Sequence, residues 1–353
     1  MSKKSLFLVL IIVAIPLMGL SANMISQPAA TVNLIRNTVI SVEDLNEKVA
    51  TYQAEASAAG VPTSDVKPLE VLNVMINDEL VLQGAERDGY TITDAQIDQL
   101  VRQQKAYAEQ QVGKEITTEQ FELIVKNNYG IGMTEFRKSL KESALVDLYV
   151  RGKMSSVIQA YEEPTEKEIQ DFYRTNRASF MNPELVRISH IFMPFTAENK
   201  AKTKTEMDKL ARWLRYNTYT FEELVPKYSL DKDSVTRGGD IGWLAFDDAN
   251  MRSYLGPAFF DAVFALPLGK PSSVLESTGG YHIVKVTTHT DPKLLTIDDP
   301  INPDSKVTVK QYIRQTLTSR NQQEAYLKAI DSLVVQLRKE AYVNILYTAE
   351  KSN

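Results

Sequence analysis

The residues best suited to chemistry are two histidines that lie in separate β-like segments. His190 lies in "ELVRISHIFMPF" and His282 in "GGYHIVKVTT". If these segments are neighbouring strands and both side chains face inward, the two imidazoles meet in one core, where neighbouring groups set their protonation. His289 follows in a polar stretch that reads as a loop, and we expect it to be solvated.

Two interpretations of the histidine pair stay open from the residues alone. Paired histidines in a core can be hydrogen-bonded structural groups, or they can belong to an active site. A metal site is poorly supported because no third ligand of suitable spacing stands near either histidine.

The loop "YSLDKDSVTRGGDIGW", residues 228–243, is the second candidate. Paired glycines often only turn the chain, and its acids can simply be solvated. Gly238 and Gly239 would allow a tight turn beside a pocket, and Asp240 could hold that turn by bonding to nearby backbone groups.

Several other chemistries find no support. The sequence has no cysteine and no GxSxG motif, which argues against thiol and α/β-hydrolase catalysis. "RGGDIG" lacks the glycine spacing of a phosphate or dinucleotide loop. A net charge of −5 argues against a nucleic-acid partner. No motif implies a cofactor, and none suggests that ATP drives a cycle.

The N-terminus, "MSKKSLFLVLIIVAIPLMGLSAN", predicts an export signal over residues 1–22. A basic start, an apolar run and small residues near the end are typical of a signal peptide, with cleavage after Ser21 or Ala22. An uncleaved membrane anchor is the alternative. Against it, the run is shorter than the ~20 residues that a spanning helix needs, and Pro16 interrupts it.

The remaining chain has mainly helical segments on either side of a segment that mixes helices and strands, which predicts an α+β fold. Residues 23–180 are mainly helical, with capping boxes such as Thr93–Gln96 and Thr117–Gln120. Residues 184–289 read as a small α/β domain, and residues 290–306 as a linker. Residues 307–348 predict a helix and a short strand. Because a lone helix cannot bury its apolar stripe, we expect it to pack on the N-terminal domain, with the α/β domain inserted.

Four blocks of the α/β domain together resemble the parvulin peptidyl-prolyl isomerases. They are "ISHIFMP", "YSLDKDSVTRGGDIGW", "AFFDAVFALPLGK" and "GGYHIVKV", in the order and approximate spacing of that family. The helical remainder looks like the SurA-type exported chaperones, which carry parvulin domains on a helical body. This second resemblance rests on layout and is less specific.

The parvulin resemblance assigns a catalytic set. Asp231, six residues before Arg237, matches the position at which parvulins carry an acid or a thiol. His190 and His282 match the paired core histidines. This sequence departs from the family pattern at Pro226, which is expected to kink or end the helix that leads to Asp231.

The same resemblance assigns an apolar pocket for the proline ring. Phe259 matches its aromatic floor and Ile241 one wall. Leu255 or, alternatively, Met251 matches the other wall, because the segment 244–257 is longer than the compact parvulin loop.

The resemblance implies an exported, periplasmic folding factor. Its partners would be unfolded or extended polypeptides that contain X-Pro bonds, with outer-membrane proteins among the clients. One alternative is a catalytically silent parvulin fold that only holds peptides. A weaker one is a structural envelope protein, which would bind no apolar client.

Overall fold

The computed structural model describes residues 27–348 of the chain. The predicted signal peptide, residues 1–22, lies outside the described residues. Among residues 27–348, no helix combines the length and the apolar character needed to cross a membrane.

The described residues form helices and short strands. The helices are α1 (Val42–Ala58), α2 (Pro68–Arg87), α3 (Asp94–Val112), α4 (Thr118–Tyr129), α5 (Met133–Lys153), α6 (Ser155–Gln159), α7 (Glu166–Thr175), α8 (Lys200–Arg215), α9 (Phe221–Tyr228), α10 (Ala249–Leu255), α11 (Pro257–Phe264) and α12 (Val309–Glu340). The strands are β1 (Pro28–Asn33), β2 (Asn37–Ser41), β3 (Met181–Asn182), β4 (Leu185–Pro194), β5 (Asp240–Ala245), β6 (Leu275–Glu276), β7 (Gly280–Thr290), β8 (Lys293–Leu294) and β9 (Tyr342–Ile345).

These elements form two compact units. Within the described residues, the first comprises 27–163 and 319–348, and the second comprises 164–318. The division at Glu163 differs from the expected boundary at residue 180, because Ile169 of α7 is buried with Val309 and Ile313 of α12. The segment expected to be a linker, 290–306, contains β8, which pairs with β3, and the buried Leu295.

The first unit packs helices against a three-stranded antiparallel sheet of order β2-β1-β9. The C-terminal part of α12 contributes Ala329, Leu333 and Leu337 to this core, where they are almost fully buried. Helices α3, α4 and α5 share a smaller core that includes Phe121 and Phe136. The residues 319–348 therefore complete the core of the first unit.

Local side-chain caps explain where many of the helices begin. In each capping box, a Ser or Thr hydroxyl accepts a backbone N–H of the first turn while the third helical residue bonds back to the cap. The predicted boxes form as expected: Thr93–Gln96, Thr117–Gln120, Thr165–Glu168 and Thr220–Glu223. Ser41 caps α1 in the same way, with Asp44 as its partner.

The second unit is built on a four-stranded antiparallel sheet of order β5-β4-β7-β6. Because side chains alternate along a strand, each face of the sheet has its own core. On one face, Ile188 and Val284 pack with α11; on the other, Ile191 and Ile283 pack with α8 and α9. His190 and His282 follow the alternation of the first face.

Two glycines fit the turn before β5 for different reasons. Gly238 (φ +69°) and Gly239 (φ +79°) both adopt the left-handed conformation that favours glycine. At Gly239 the backbone also approaches β4: the His190 N–H donates to the Gly239 carbonyl at 2.8 Å. A Cβ atom on residue 239 would lie 2.4 Å from the His190 carbonyl oxygen, whereas one on residue 238 would meet open space.

Asp240 fixes the same turn from its far side. Its Oδ1 accepts the Gly242 N–H at 2.8 Å, as the sequence predicted. Its Oδ2 accepts two further bonds from the Arg187 guanidinium of β4, at 2.7 and 3.0 Å. The turn is therefore tied both locally and to the neighbouring strand.

Two expectations change with the fold. His289 lies in β7, not in a loop, because pairing with β4 extends β7 as far as Thr290. It is not simply solvated, since its Nε2 lies 2.8 Å from Glu184 Oε1. Pro226 does not end α9 immediately; the helix continues to Tyr228.

The two glycines give a matched pair of stability variants. We expect Gly238→Ala to cost about 1–2 kcal/mol, the strain of a left-handed L-residue. Gly239→Ala should cost about 3 kcal/mol or more, because the added carbon also collides with backbone. Denaturant unfolding followed by tryptophan fluorescence measures both, since Trp213 and Trp243 lie in the second unit. Equal losses would contradict the close approach to His190.

Candidate active site

The three residues assigned as a catalytic set lie in one hydrogen-bonded row. The Nδ1 atoms of His190 and His282 are 3.1 Å apart. His190 Nε2 lies 2.9 Å from Asp231 Oδ2. Antiparallel pairing of β4 with β7 sets His190 opposite Val284 and Phe192 opposite His282, so the two imidazoles meet diagonally on one face of the sheet. Both histidines are buried.

Two serines that the sequence reading did not single out extend this row at its ends. Ser277 Oγ lies 2.8 Å from His282 Nε2 and accepts the Gly279 and Gly280 N–H groups, each at 3.2 Å. At the other end, the buried Ser234 donates to Asp231 Oδ2. For Ser277 a sequence signal existed: it opens the glycine turn "STGGYH" that leads into β7.

Proton counting gives the row one direction. An ionised Asp231 only accepts, so His190 Nε2 donates to it and a neutral His190 accepts at Nδ1. His282 Nδ1 then donates to His190, and His282 Nε2 accepts the Ser277 hydroxyl proton. Ser277 Oγ keeps its lone pairs for the two glycine N–H groups. Every donor in this scheme points towards Asp231.

The electrostatics of the row favour this neutral pair. Burial lowers the pKa of His190, although the hydrogen bond to Asp231 opposes that shift. Burial and then the neighbouring His190 lower the pKa of His282 to about 3. Burial raises the pKa of Asp231, but hydrogen bonds from Ser234 and His190 outweigh it, and the net shift is downward. At neutral pH the row therefore carries one negative charge, at Asp231.

Aromatic rings enclose the histidines on the same face. The centroid of Phe259 on α11 lies 4.6 Å from that of His282. Phe192, another residue not predicted from sequence, lies 4.6 Å from His282 and stacks on His190 at 5.7 Å. Phe192 stands two positions after His190 on β4, so strand alternation alone would have placed it on the same face.

The apolar residues assigned to a proline pocket all belong to the cluster that contains Phe259. Leu255 and Phe259 are buried in it, at 8% and 2% exposure, and Ile241 and Met251 pack against it while partly exposed. The structure brings these four residues together beside His282. Leu255 and Met251 both lie on α10, so both candidates for the second wall adjoin the cluster.

A second concave feature lies in the helical unit, between α3, α4 and α5. Its cavity volume is about 310 Å³, and its lining contains no Asp, Glu, Lys, Arg or His residue. Tyr107, Val112 and Tyr129 line it and remain 38–49% exposed. Phe136 forms its floor, between Tyr129 at 5.6 Å and Phe121 at 6.1 Å. We call this feature the helical groove.

Residues 27–348 contain no group of three or more His, Asp or Glu side chains placed to hold an ion. The ring nitrogens of His190 and His282 instead bond to each other, to Asp231 and to Ser277.

Two family models match this chain. One is the PPIC-type PPIase domain, over residues 172–290, and the other is the SurA-like N-terminal domain, over residues 2–149. The chain therefore joins a SurA-like N-terminal domain to a PPIC-type peptidyl-prolyl isomerase domain. This confirms the α+β fold class and the family resemblance read from the sequence.

Individual relatives point the same way. Chaperone SurA of Methylobacillus flagellatus is 27% identical over 261 residues, which is 72% of this chain and 55% of that protein. Foldase protein PrsA of Clostridium botulinum is 28% identical over 199 residues, which is 56% of this chain and 53% of that protein. The chain thus spans about half the length of the curated relatives that it matches.

Solved structures with detectable likeness include two of the same kinds. A SurA-like chaperone of Campylobacter jejuni is 14% identical, with 91% of this chain and 99% of that one covered and a TM-score of 0.37. PrsA of Bacillus anthracis is 23% identical, with 76% and 97% covered and a TM-score of 0.28.

The neutral histidine pair predicts a specific pH dependence of stability. The folded pKa values of His190 and His282 are lowered, so below about pH 6.5 the unfolded chain binds protons that the folded chain does not. Stability should therefore fall as the pH falls from about 6.5, by up to about 1.4 kcal/mol per pH unit and histidine. Tryptophan-detected unfolding between about pH 6.5 and 5, where few carboxylates titrate, measures this slope.

Two variants separate this effect from general acid instability. His282→Gln should flatten the slope, because it removes one of the two suppressed protonations. His289→Gln lies outside the row and should keep the contribution of the buried pair. A slope that is unchanged in His282→Gln would contradict a neutral pair in the folded state.

Proposed function

We propose that this chain is an exported folding factor that binds unfolded polypeptides and catalyses cis-trans isomerisation of X-Pro peptide bonds. One observation carries the catalytic half: Asp231, His190, His282 and Ser277 form a continuous hydrogen-bonded row, and the buried His282 in this row lies against Phe259 of the apolar cluster. The PPIC-type domain over the same residues supports this assignment.

Prolyl isomerisation requires no covalent chemistry from the protein. Rotation about a peptide bond has a barrier of ~18–20 kcal/mol because twisting destroys amide resonance. A rate gain of about 10³–10⁵ requires only ~4–7 kcal/mol of differential stabilisation of the twisted amide. An apolar pocket for the proline ring and a fixed electrostatic environment are sufficient, and no bond has to break.

In this scheme the apolar residues hold the ring. Phe259 forms the floor, Ile241 and Leu255 form the walls, and Met251 borders the opening. The partly exposed Ile241 and Met251 are the members of this set that a ligand reaches first. The charge-free histidine pair keeps the floor of the site dry, which strengthens the field of the one remaining charge.

Asp231 supplies that charge from a fixed position. Its Oδ2 accepts from His190 and Ser234, and its Oδ1 accepts the Asp233 N–H at 3.2 Å. Its side chain is still 22% exposed, so the carboxylate stands between the buried row and solvent. We assign it an electrostatic role near the rotating carbonyl and no role as a nucleophile.

The catalytic role of Asp231 can be tested on a short X-Pro peptide. We expect Asp231→Ala to lower kcat/KM for prolyl isomerisation by about 10²-fold, the usual effect of removing one preorganised electrostatic group. Asp233→Ala is the matched control, because Asp233 is an exposed acid two residues away in the same loop. It should keep nearly full activity.

Each other outcome has a definite meaning. Equal activity in both variants would move the chemistry away from Asp231. No activity in the unaltered protein, over several residues before proline, would leave the alternative of a catalytically silent peptide holder. The near-complete burial of Phe259 and Leu255 is the observation that favours this alternative, since a ring must displace neighbours to reach them.

The helical groove supports the client-binding half of the proposal. Clefts that combine apolar and aromatic side chains with a few polar groups are typical of ligand-binding sites. The amides of Gln104, Gln111 and Asn128 line it beside the apolar residues, and such groups can bond an extended backbone. Unfolded chains are therefore the client class that we assign to it, with outer-membrane proteins as the expected examples.

Client binding and catalysis should be separable by mutation. We expect Val112→Ser with Tyr129→Ser to weaken suppression of aggregation of an unfolded client several-fold, because both side chains are exposed in the groove. Prolyl isomerisation of a short peptide should stay unchanged. Leu268→Ser, which removes an apolar side chain of the other unit that is 61% exposed, is the control. Loss of suppression in the control alone would overturn the assignment of the groove.

A further inference from the structure

The isomerase unit carries a basic and aromatic surface that its proposed catalysis does not use. It lies on α8, α9 and the turn between them, and we call it the basic-aromatic patch. Its members are Lys202, Lys209, Arg212, Trp213, Arg215, Tyr216, Tyr219, Lys227 and Tyr228. These helices cover the sheet face opposite to the histidine row, because they pack on Ile191 and Ile283.

The turn that presents the patch is rigidly built. α8 ends in a Schellman-type cap, in which Thr218 N donates to Trp213 O at 2.9 Å and Asn217 N to Leu214 O at 3.1 Å. Asn217 takes the left-handed conformation of such a cap (φ +53°), and it is the one non-glycine residue with positive φ in the described part of the chain. On either side of it, Tyr216 is 72% exposed and Tyr219 is 37% exposed.

Two aromatic rings of the patch, those of Trp213 and Tyr219, each have a lysine over one face. Trp213 packs against Tyr219 at 5.0 Å and Tyr228 at 6.0 Å. Lys209 Nζ lies 4.6 Å from the centroid of Trp213, and Lys227 Nζ lies 5.5 Å from that of Tyr219. These ring faces are not open for stacking on a nucleic-acid base, which is how aromatic side chains hold single strands.

Charge distinguishes the patch from the rest of the molecule. The whole chain carries a net charge of −5. Within residues 27–348, Lys202, Arg212 and Arg215 make no salt bridge, and all three are exposed on α8. The acids of α8 and α9 are Glu206 and Asp208, which pair with Lys209 at 3.0 Å and with Lys204 at 2.8 Å, and Glu222 and Glu223 in the first turn of α9. Residues 200–228 hold seven Lys and Arg residues against these four acids. Cations therefore outnumber acids here, against the overall balance.

We propose that the basic-aromatic patch docks the isomerase unit on an anionic lipid surface. Tyrosine and tryptophan concentrate at the interface between headgroups and acyl chains, because their rings are apolar and their tips polar. Lysine and arginine beside them are drawn to anionic lipids, by about 1 kcal/mol each near the surface. Because the patch and the histidine row face opposite sides of the sheet, a docked unit keeps its proposed catalytic face open to clients.

A single-tryptophan chain tests this directly. The sequence has two tryptophans, so Trp243→Phe leaves Trp213 as the only fluorescent reporter, inside the patch. With vesicles of equal parts phosphatidylcholine and phosphatidylglycerol, we expect its emission to shift to shorter wavelength and to be quenched by brominated lipid. Pure phosphatidylcholine vesicles should cause neither change. In the reciprocal variant, Trp213→Phe, the remaining Trp243 should not respond.

Charge variants with a matched control complete the test. Arg212→Glu with Arg215→Glu should weaken binding to the mixed vesicles by about 30-fold or more, from two lost cations. Arg177→Glu with Lys306→Glu makes the same charge change at exposed positions of the same unit, outside the patch, and should change binding less than about threefold. Co-sedimentation measures this difference in chains that keep both tryptophans, so it does not depend on the folding of Trp243→Phe. Any contribution of the N-terminus to binding is the same in the two double variants.

Three results of the vesicle experiments would each overturn the proposal. They are an unchanged Trp213 spectrum with mixed vesicles, an equal response to pure phosphatidylcholine, and equal binding by the two double variants. A Trp213 response to poly-glutamate in place of mixed vesicles would also overturn it, because the patch would then bind acidic peptide. None of these measurements involves prolyl isomerisation, so the docking surface stands or fails independently of the proposed function.

Discussion

The second unit depends on one constraint: two imidazoles share a core that cannot afford a charge. With their Nδ1 atoms 3.1 Å apart, one must donate and the other accept, so the accepting ring must be neutral. Burial, which lowers the pKa of both histidines, disfavours a charge on the donating ring as well. Their outer nitrogens then need opposite partners, an acceptor beside His190 and a donor beside His282. Asp231 and Ser277 meet those needs. Much of the local architecture follows from holding these two partners in place.

The backbone supplies that positioning from both ends. Ser277 is fixed by two N–H groups of the glycine turn before β7, and Asp231 by the N–H of Asp233 and the hydroxyl of Ser234. Gly239 lets the loop after Asp231 return close enough to bond β4 at His190 itself. The loop that carries Asp231 therefore bonds to the backbone of His190, whose side chain bonds to Asp231. This closed arrangement explains why glycines and small polar residues, which pack little surface, are concentrated around the row.

Local signals made part of this predictable. Capping boxes such as Thr220–Glu223 mark helix starts because the interaction spans only three residues. Alternation within β4 and β7 predicted one shared core for His190 and His282 only on the condition that the two strands are neighbours, which they are. Features that depend on distant partners could not be read in the same way. The Arg187–Asp240 pair joins residues 53 positions apart, and the strand length that includes His289 depends on β4.

The packing of Ile169 could not be read from sequence for the same reason, since its burial requires Val309, far along the chain. Phe192, Ser234 and Ser277 are a different case. Each lies close in sequence to a residue that was identified, but their side-chain types carry no chemistry of their own. Their importance appears only when the ring contacts and the direction of the proton row are known.

The two faces of the central sheet carry different kinds of constraint. On the histidine face, each ring nitrogen needs a partner of the matching kind, a donor or an acceptor. A Cβ atom added at residue 239 would also collide with the backbone of His190. On the α8–α9 face, Lys202, Arg212 and Arg215 are solvated, and their exchange for other exposed residues costs the fold little. A sheet with independent cores on its two sides can therefore keep a fixed proton network on one face while the charge of the other face varies. That independence would allow a proposed docking surface and a proposed catalytic site to occupy one small domain without competing for the same residues.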